Sequence, residues 1–478
     1  MRRATALARL LILVLVVAAC ASPQPAPESS ADPARELAGK VTVDGMRAHL
    51  DRLSTIATGN KGSRAVGTPG YDASVDYVVE VLQNKGFAVE TPEFDRMVQT
   101  NAGDPTLTVA GRKFPVVQAS LLFTTPVAGV KAITLRPQKP AGCTAADYGT
   151  VNVRGAIAVV DGTGCSVVEK HDAAVAKGAV GLLVVSDTAV AGLFPTGYYQ
   201  GLKSPVAVIG KDVDAQLRRT TSPVQLDLNA EAKLVKVRNV LAQTKTGDVH
   251  NVVVAGAHLG SAPHSPGMND DGSGVAAVLE AAVQLGGSPT VTNAVRFAFW
   301  GSDESGLEGP TKYVAGLDRQ QITDIAVYLN FDMLASKNAG YFTYDGDQSG
   351  QASPGIPAAS VPIGSAGAER TLAGYLNLAG VRPADMPLSR ASDYGPFLAA
   401  GIPIGGITTG ASQLKSEVQA RLWGGKAGAP FDPGYRTPRD VADNVNPQAM
   451  AITGPAVAFA VGTYAASTGG PNSVEPRG

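Results

Sequence analysis

Apolar residues recur along the chain in two different patterns. Helical spacing over residues 43–57 predicts an amphipathic helix, and a second helix over 71–85 follows the Gly-rich stretch 60–71, which ends in GTPGY. From about residue 92 to 235, short alternating apolar segments separated by turn residues predict a β-rich region. Strand and helix patterns then alternate from residue 239, which predicts an α/β sandwich with a mostly parallel sheet.

The apolar runs predict individual strands and helices in both regions. In the β-rich region a strand ends at Asp161, and a helix over 167–177 precedes a strand over 181–185. In the α/β region the expected elements are strands 251–257, 294–300 and 325–331 and helices 274–284 and 308–315. Ligands of such sheets bind at the carboxyl ends of the strands. Four side chains that can hold a metal fall there: His258, Asp303, Glu304 and Asp332.

Composition narrows the class of protein. The 478 residues are 44% apolar, which is enough for a sizeable core and for two or three domains. The net charge of −1 shows no basic excess, so we expect no nucleic-acid partner. Function is therefore to be sought in the side chains that the sheet brings together.

The N-terminus has the pattern of an export signal. Three arginines in the first nine residues precede an apolar run over 10–17, about half of the roughly 20 residues that span a bilayer. Small residues then lead to Cys20, as in a bacterial lipobox, so residues 1–20 are predicted to be a lipoprotein signal and Cys20 the lipidated first residue. An ordinary secretory signal with a chance cysteine is the alternative, and either one exports the chain. Residues 21–38 are predicted to be a flexible tether to the extracytoplasmic face of the cell membrane.

Cys143 and Cys165 are the remaining cysteines. Because an exported protein meets an oxidising compartment, we expect them to form a disulfide, with two buried free thiols as the alternative. Neither state makes them catalytic, because the chain has no other thiol that could act as a ligand.

Four motifs carry a resemblance to a known family. They are NVVVAGAHLGSAPHSPGMNDDGSGVAAVL (251–279), AVRFAFWGSDESGLEG, VYLNFDM and DPGYRTPRD. They resemble the active-site motifs of the co-catalytic di-zinc aminopeptidases, the aminopeptidase Y and aminopeptidase S family, which implies a three-layer α/β/α fold of the zinc-exopeptidase type. By this resemblance, His258 and Asp332 hold the first zinc. Asp270 bridges it to a second zinc, which Glu304 holds.

A second resemblance concerns the β-rich region. The stretch CTAADYGTVNVRGAIAVVDGTGCSVVEKHDAAVAKGAVGLLVV (143–185) resembles the protease-associated domain that is often inserted in this family. The chain is then expected to divide into a zinc-peptidase domain over 39–92 and 236–468 and an inserted domain over 93–235. Such a domain is usually a lid or a substrate-access module, and a spacer without a ligand is an equal alternative.

Three positions depart from the family pattern. The family has an Asp two residues after the metal-binding His to orient its imidazole, but this chain has Gly260, and such a loss typically costs ~10–100-fold in metal affinity or activity. The general base is a Glu in the family, and Asp303 stands in its place with one methylene less of reach. The last metal ligand is a His within Tyr-His-Thr, and this chain has Tyr435, Arg436 and Thr437 there.

Arg436 cannot replace that ligand, because a guanidinium stays protonated and offers no lone pair. Of the five histidines only His264 is spare near the site, and a solvated loop histidine is its more ordinary interpretation. Crowded carboxylates repel each other, and an arginine fork can bind two carboxylate oxygens. We therefore expect Arg436 to stand in electrostatically for the second zinc. His258, Asp270 and Asp332 would then hold one ion or none.

Two further positions match the family. Tyr435 aligns with a Tyr that hydrogen-bonds the developing oxyanion, with a packed aromatic as the equally weighted alternative. The segment SDYGPF (392–397) resembles a loop beside the substrate pocket, and Asp393 within it is either structural or substrate-facing.

Three functions compete on these grounds. The first is a cell-envelope metallo-aminopeptidase that hydrolyses N-terminal residues from peptides, with Asp303 as base and Tyr435 polarising the carbonyl. The second is a catalytically inactive relative that binds peptides or acts as a scaffold lipoprotein, which the three departures together favour. A glutaminyl-cyclase-like acyltransferase shares the fold and uses one zinc, but it needs a ligand where Arg436 stands. We expect a member of the peptidase class with reduced or lost activity.

Overall fold

The structure is a computed structural model that describes residues 32–186, 201–301 and 306–475. Several predictions from the sequence lie outside these residues. They are the signal sequence with Cys20, the tether up to residue 31, and the pair Asp303 and Glu304.

The helices of the described residues mostly surround the sheets. They are α1 (Pro33–Lys40), α2 (Val43–Gly59), α3 (Pro69–Asn84), α4 (Val167–Ala176), α5 (Lys211–Leu217), α6 (Gly272–Leu285), α7 (Glu308–Ala315), α8 (Arg319–Thr323), α9 (Gly364–Leu378), α10 (Gly395–Ala399), α11 (Glu417–Trp423) and α12 (Pro447–Ala466). Short 3-10 turns lie at Ala145–Tyr148, Ala358–Ser360 and Ala442–Asn444.

The strands fall into two groups along the chain. The first group is β1 (Ala88–Glu90), β2 (Glu93–Asn101), β3 (Thr106–Val109), β4 (Arg112–Pro115), β5 (Val117–Gln118), β6 (Val130–Ala132), β7 (Thr134–Leu135), β8 (Ile157–Asp161), β9 (Gly181–Val185), β10 (Val206–Ile209), β11 (Val224–Asp227) and β12 (Glu231–Arg238). The second is β13 (Val240–Gln243), β14 (Asp248–His258), β15 (Asn293–Trp300), β16 (Ile325–Phe331), β17 (Phe342–Tyr344), β18 (Ala384–Met386) and β19 (Ile404–Thr408).

The main sheet has eight strands in the order β1-β13-β15-β14-β16-β19-β17-β18. Its four central strands, β15, β14, β16 and β19, run parallel to one another, and antiparallel pairings flank them. Helices α2, α6, α9 and α12 cover one face, and α7 and α10 pack on the other. This is the α/β/α sandwich that the alternation of strands and helices predicts, and the central part of its sheet is parallel.

The sequence of the central strands explains their position. All seven residues of β16, IAVYLNF, are buried, because helices cover both faces of a parallel sheet. The predicted strand 325–331 and the predicted helix 308–315 match β16 and α7 residue for residue. The other predicted elements are confirmed with ends that move by three residues or fewer, as for β14, which begins at Asp248.

Residues 33–38, which the composition assigns to the tether, instead belong to helix α1. Asp32 caps this helix by accepting the N–H of Ala34, and Pro33 occupies its first turn. Leu37 is 5% exposed and packs into the core of the main domain. The Pro- and Ala-rich composition did not indicate the N-cap or the apolar face that follows it. The cap and this face stabilise a short helix that packs against α12.

Helix α12 is long and apolar enough to cross a membrane by length and composition alone. However, 67% of its most apolar window is buried within the protein. It packs against α1, α6 and α9, so its apolar residues belong to the core of the main domain.

The described residues of the inserted region form two sheets and a two-stranded ribbon. A five-stranded sheet has the order β5-β10-β9-β8-β7, and a four-stranded sheet has the order β4-β3-β11-β6. The antiparallel ribbon of β2 and β12 pairs residues close to both predicted ends of the insertion, 93 and 235. Cys143 and Cys165 form a disulfide that joins the segment before the 3-10 turn Ala145–Tyr148 to the connection between β8 and α4.

Candidate metal centre

The candidate site lies at the carboxyl edge of the central strands. β14 ends at His258, which pairs in register with Trp300 at the end of β15. β16 ends at Phe331, and Asp332 follows directly. The loop between β14 and α6 carries Asp270, so three of the predicted ligands come together at this edge.

His258, Asp270 and Asp332 form a compact ligand group. Nε2 of His258 lies 3.3 Å from Oδ1 of Asp270 and 3.6 Å from Oδ1 of Asp332. Two atoms that bind one tetrahedral zinc at ~2.0–2.1 Å are about 3.3 Å apart, so the three side chains fit a single zinc ion. The side chain of Asp332 is 27% exposed, whereas that of His258 is 2% exposed, so the group opens to solvent on the Asp332 side.

A backbone carbonyl orients the imidazole of His258. Nδ1 lies 3.0 Å from the carbonyl oxygen of Gly260, which places the proton on Nδ1 and turns Nε2 towards the carboxylates. The sequence alone predicted a cost of ~10–100-fold from the missing carboxylate at this position. The carbonyl fixes the tautomer as a carboxylate would, but it adds no negative charge, so we expect it to recover part of that cost.

Asp271 joins the three segments that carry the ligands. Its carboxylate accepts N–H bonds from His258 at 3.2 Å, from Gly274 at 3.0 Å and from Met333 at 2.9 Å. Burial, reinforced by the charge of Asp332, raises the pKa of this carboxyl. Asp271 was not predicted from the sequence, although its place just before a helix is typical of an N-cap.

The segment 431–445 holds the loop of Asp270 from the other side. Asp440 is buried, and its carboxylate accepts the backbone N–H of Asn269 at 2.8 Å and of Asp270 at 3.0 Å. Nδ2 of Asn269 donates to Asp432 at 2.6 Å. Burial raises the pKa of Asp440 to about 7. Asp440 is the last residue of the motif DPGYRTPRD, but no role was predicted for it, because it acts on backbone groups that are distant in sequence.

Arg436 lies beside the ligand group. Its Nε is 3.7 Å from Oδ2 of Asp270, and its side chain is 46% exposed. The carbon of its guanidinium lies 5.0 Å from the centre of the Tyr435 ring. The structure therefore contains one of the carboxylate contacts expected of Arg436, while those to Asp303 and Glu304 lie outside the described residues.

His264 stays apart from the ligand group. It is exposed, in a turn of the loop that precedes Asp270, and its backbone φ is 62°. In the part of the chain that the structure describes, the metal-ligating group at this edge consists of His258, Asp270 and Asp332 without it. The geometry favours the solvated loop histidine over a replacement ligand.

The segment that resembles a substrate-pocket loop packs against the end of β16. Asp393 and Tyr394 are only 2% and 1% exposed. The hydroxyl of Tyr394 accepts the N–H of Ser389 at 2.8 Å, and Nδ2 of Asn330 donates to Ser392 at 3.4 Å. This burial favours the structural role of Asp393 over a substrate-facing one.

Comparison with known proteins identifies the family. The model of Peptidase family M28 matches residues 239–461, and the model of the PA domain matches residues 123–217. A protein of Mycobacterium tuberculosis (strain ATCC 25618 / H37Rv), named "Probable lipoprotein aminopeptidase LpqL", is 48% identical over 452 residues, which cover 93% of this chain and 89% of the relative. The chain belongs to peptidase family M28.

Two further comparisons concern a second relative in sequence and a solved structure of similar fold. An "Aminopeptidase" of Pseudomonas aeruginosa (strain UCBPP-PA14) is 36% identical over 437 residues, 88% of this chain and 80% of that protein. The structure of BSAP, a zinc aminopeptidase from Bacillus subtilis, is similar in fold, with a TM-score of 0.52 and 22% identity over 91% of this chain and 98% of BSAP. The α/β fold of family M28 with an inserted PA domain, expected from the motifs, is thus confirmed.

Proposed function

We propose that this chain is a zinc-dependent aminopeptidase of the cell envelope, which hydrolyses N-terminal residues from peptides. The observation that carries the proposal is the group of His258, Asp270 and Asp332 at the strand edge of a family M28 fold. The relatives from M. tuberculosis and P. aeruginosa are both named aminopeptidases, which favours this function over a catalytically inactive relative.

The proposed site holds one zinc on His258, Asp270 and Asp332. Bound there, zinc would acidify a water and polarise the carbonyl of the scissile peptide bond. The donor set supports this, because imidazole nitrogen and carboxylate oxygen suit catalytic zinc and the Asp332 side is open to solvent. The family pattern would add a second ion at Glu304, and the proximity of Arg436 to Asp270 supports one ion instead of two.

The remaining chemistry is proposed for the side chains of Asp303 and Tyr435. Asp303 accepts the proton of the attacking water, at a reach one methylene shorter than that of Glu. Tyr435 donates a hydrogen bond to the oxygen on which charge develops, and Arg436 lies beside its ring. These roles predict a peptidase that works below the rate expected for an intact family site.

Substrate turnover tests this function. We expect the zinc-loaded chain, without its signal, to release p-nitroaniline from one or more members of a panel of aminoacyl p-nitroanilides. A zinc chelator should abolish the release, and added zinc should restore it, because the metal supplies several kcal/mol of charge stabilisation. Zinc-loaded protein that turns over no member of the panel would support the inactive relative instead.

For the location, we propose a lipid anchor at Cys20 that holds the chain on the extracytoplasmic side of the membrane. The printed name of the M. tuberculosis relative includes the word lipoprotein, which supports this proposal. Cell fractionation tests it, because the parent chain should sediment with membranes and a Cys20→Ser variant should be soluble. Equal membrane association of both would contradict the anchor.

The inserted domain is proposed to span residues 93–235, between the two parts of the peptidase domain at 39–92 and 236–468. The PA-domain match and the ribbon of β2 and β12 support these bounds. We propose that the domain controls access of peptides to the site, and a spacer without a ligand remains the alternative.

A further inference from the structure

Arg64 is a fully buried arginine in the turn between α2 and α3. Its guanidinium donates three hydrogen bonds, and all of them go to backbone carbonyls. Nη1 donates to Leu259 at 2.6 Å, Nη2 donates to Gly267 at 2.7 Å, and Nε donates to Pro266 at 3.0 Å. The planar fork of the guanidinium therefore holds one loop at both of its ends.

That loop runs from His258 to Asp270, so it connects two of the three ligands. The main chain of Arg64 is tied to the beginning of this loop, because Arg64 N donates to Oγ of Ser261 at 3.0 Å and Arg64 O accepts the N–H of Ser261 at 3.3 Å. The approach is close at Gly267, where an added Cβ would come within 2.5 Å of the Ser261 Cβ. The loop thus has little freedom to move away from Arg64.

A buried guanidinium is costly, and its surroundings show what offsets the cost. Burial lowers the pKa of Arg64 to about 10, and the charges of Asp440, Asp271 and Asp270 act in the opposite direction. Arg64 therefore keeps its charge at neutral pH, and it places one positive charge beside a cluster of carboxylates. A neutral side chain at this position would leave both the carbonyls and the carboxylates without that compensation.

The position of Gly260 within this loop links the contacts of Arg64 to the orientation of His258. The carbonyl of Gly260 lies 3.0 Å from Nδ1 of His258 and orients the imidazole. A carboxylate side chain could follow small movements of the ring. A backbone carbonyl cannot, so its position depends on how firmly the loop that carries it is held. Arg64 bonds both neighbours of Gly260. Its Nη1 donates to the carbonyl of Leu259, and its backbone N–H donates to Oγ of Ser261.

We propose that Arg64 is a positioning residue of the zinc site, because it fixes the backbone loop whose Gly260 carbonyl orients His258. The inference rests on the proposed function in so far as the site binds zinc. It assigns Arg64 no contact with substrate. Lysine cannot replace it fully, because an ammonium is a point charge without the planar fork that reaches three carbonyls.

The test compares Arg64→Met and Arg64→Lys with the parent chain and with Arg296→Met. Arg296 is a suitable control because it is a half-buried arginine on β15 that bonds Gln243 on the neighbouring strand β13 and Tyr313 on helix α7. Zinc affinity is measured by competition with a chelating indicator, and thermal unfolding of the metal-free proteins is measured in parallel. Turnover of an aminoacyl p-nitroanilide is measured with and without excess zinc.

We expect Arg64→Met to weaken zinc affinity by about 10–100-fold and Arg64→Lys by less, while Arg296→Met stays within about twofold of the parent. Excess zinc should restore a large part of the turnover that Arg64→Met loses. Zinc affinity of both Arg64 variants within about twofold of the parent would overturn the proposal, and so would a parent that binds no zinc. If Arg64→Met fails to fold, Arg64→Lys decides the result. A parent that binds zinc but has no turnover would contradict the peptidase function alone, because the affinity comparison remains valid.

Discussion

Replacing His258 by Ala is expected to abolish zinc binding and to lower peptidase turnover by about 10³-fold or more. The variant leaves two carboxylates, Asp270 and Asp332, where the parent has three ligands within reach of one ion. Loss of the metal removes several kcal/mol of transition-state stabilisation, and each ~1.4 kcal/mol corresponds to a factor of ten in rate. Zinc content and turnover of the same preparation check both halves of this prediction.

His250→Ala is the matched control, because His250 lies on the same strand at the opposite end. Its side chain is 70% exposed and pairs with Asp324, far along β14 from the carboxyl edge. The control should keep the zinc content and turnover of the parent. A His258→Ala variant with the zinc content of the parent would show that zinc binds at another place in the chain.

Replacing Arg436 by His is expected to raise the zinc content from one ion per chain to two. An imidazole offers the lone pair that a guanidinium lacks, and the change removes a positive charge 3.7 Å from Oδ2 of Asp270. The family pattern places its last ligand at this position, so the new side chain completes the second site. Turnover should rise with the second ion, because two ions can hold both the attacking water and the substrate carbonyl.

Arg439→His is the control for this substitution. Arg439 is exposed, three residues further along the same segment, and its Nη2 donates to the carbonyl of Pro433. It should bind no more zinc than the parent. If Arg436→His also binds no more zinc than the parent, Arg436 is not what limits the metal content of the site.

The main elements of the fold could be predicted because their apolar patterns are strong. Strands such as β16 are apolar at nearly every position, and the apolar residues of α6 recur at helical spacing. Helix α1 was missed because its composition is that of a tether, and so short a helix depends on packing against α12 for its stability. Local composition does not predict tertiary contacts of this kind.

The ligands of the site could be predicted from their motifs, but the groups that support them could not. The carbonyl of Gly260 is a backbone group, so a comparison of side chains counts only a missing carboxylate. Asp440 and Arg64 bond backbone groups that lie 170 or more residues away in the sequence. No local pattern reports such bonds, which is why a site that looks depleted in sequence can be well supported in three dimensions.

The amount of zinc bound per chain, after dialysis of the fragment that begins at Asp32 against micromolar zinc, tests the proposed metal site most directly. We expect one zinc per parent chain and none in His258→Ala. No zinc in the parent would contradict a metal-dependent peptidase and would turn attention to what the protein binds. Two zinc ions per parent chain would contradict the substitution of the second metal by Arg436.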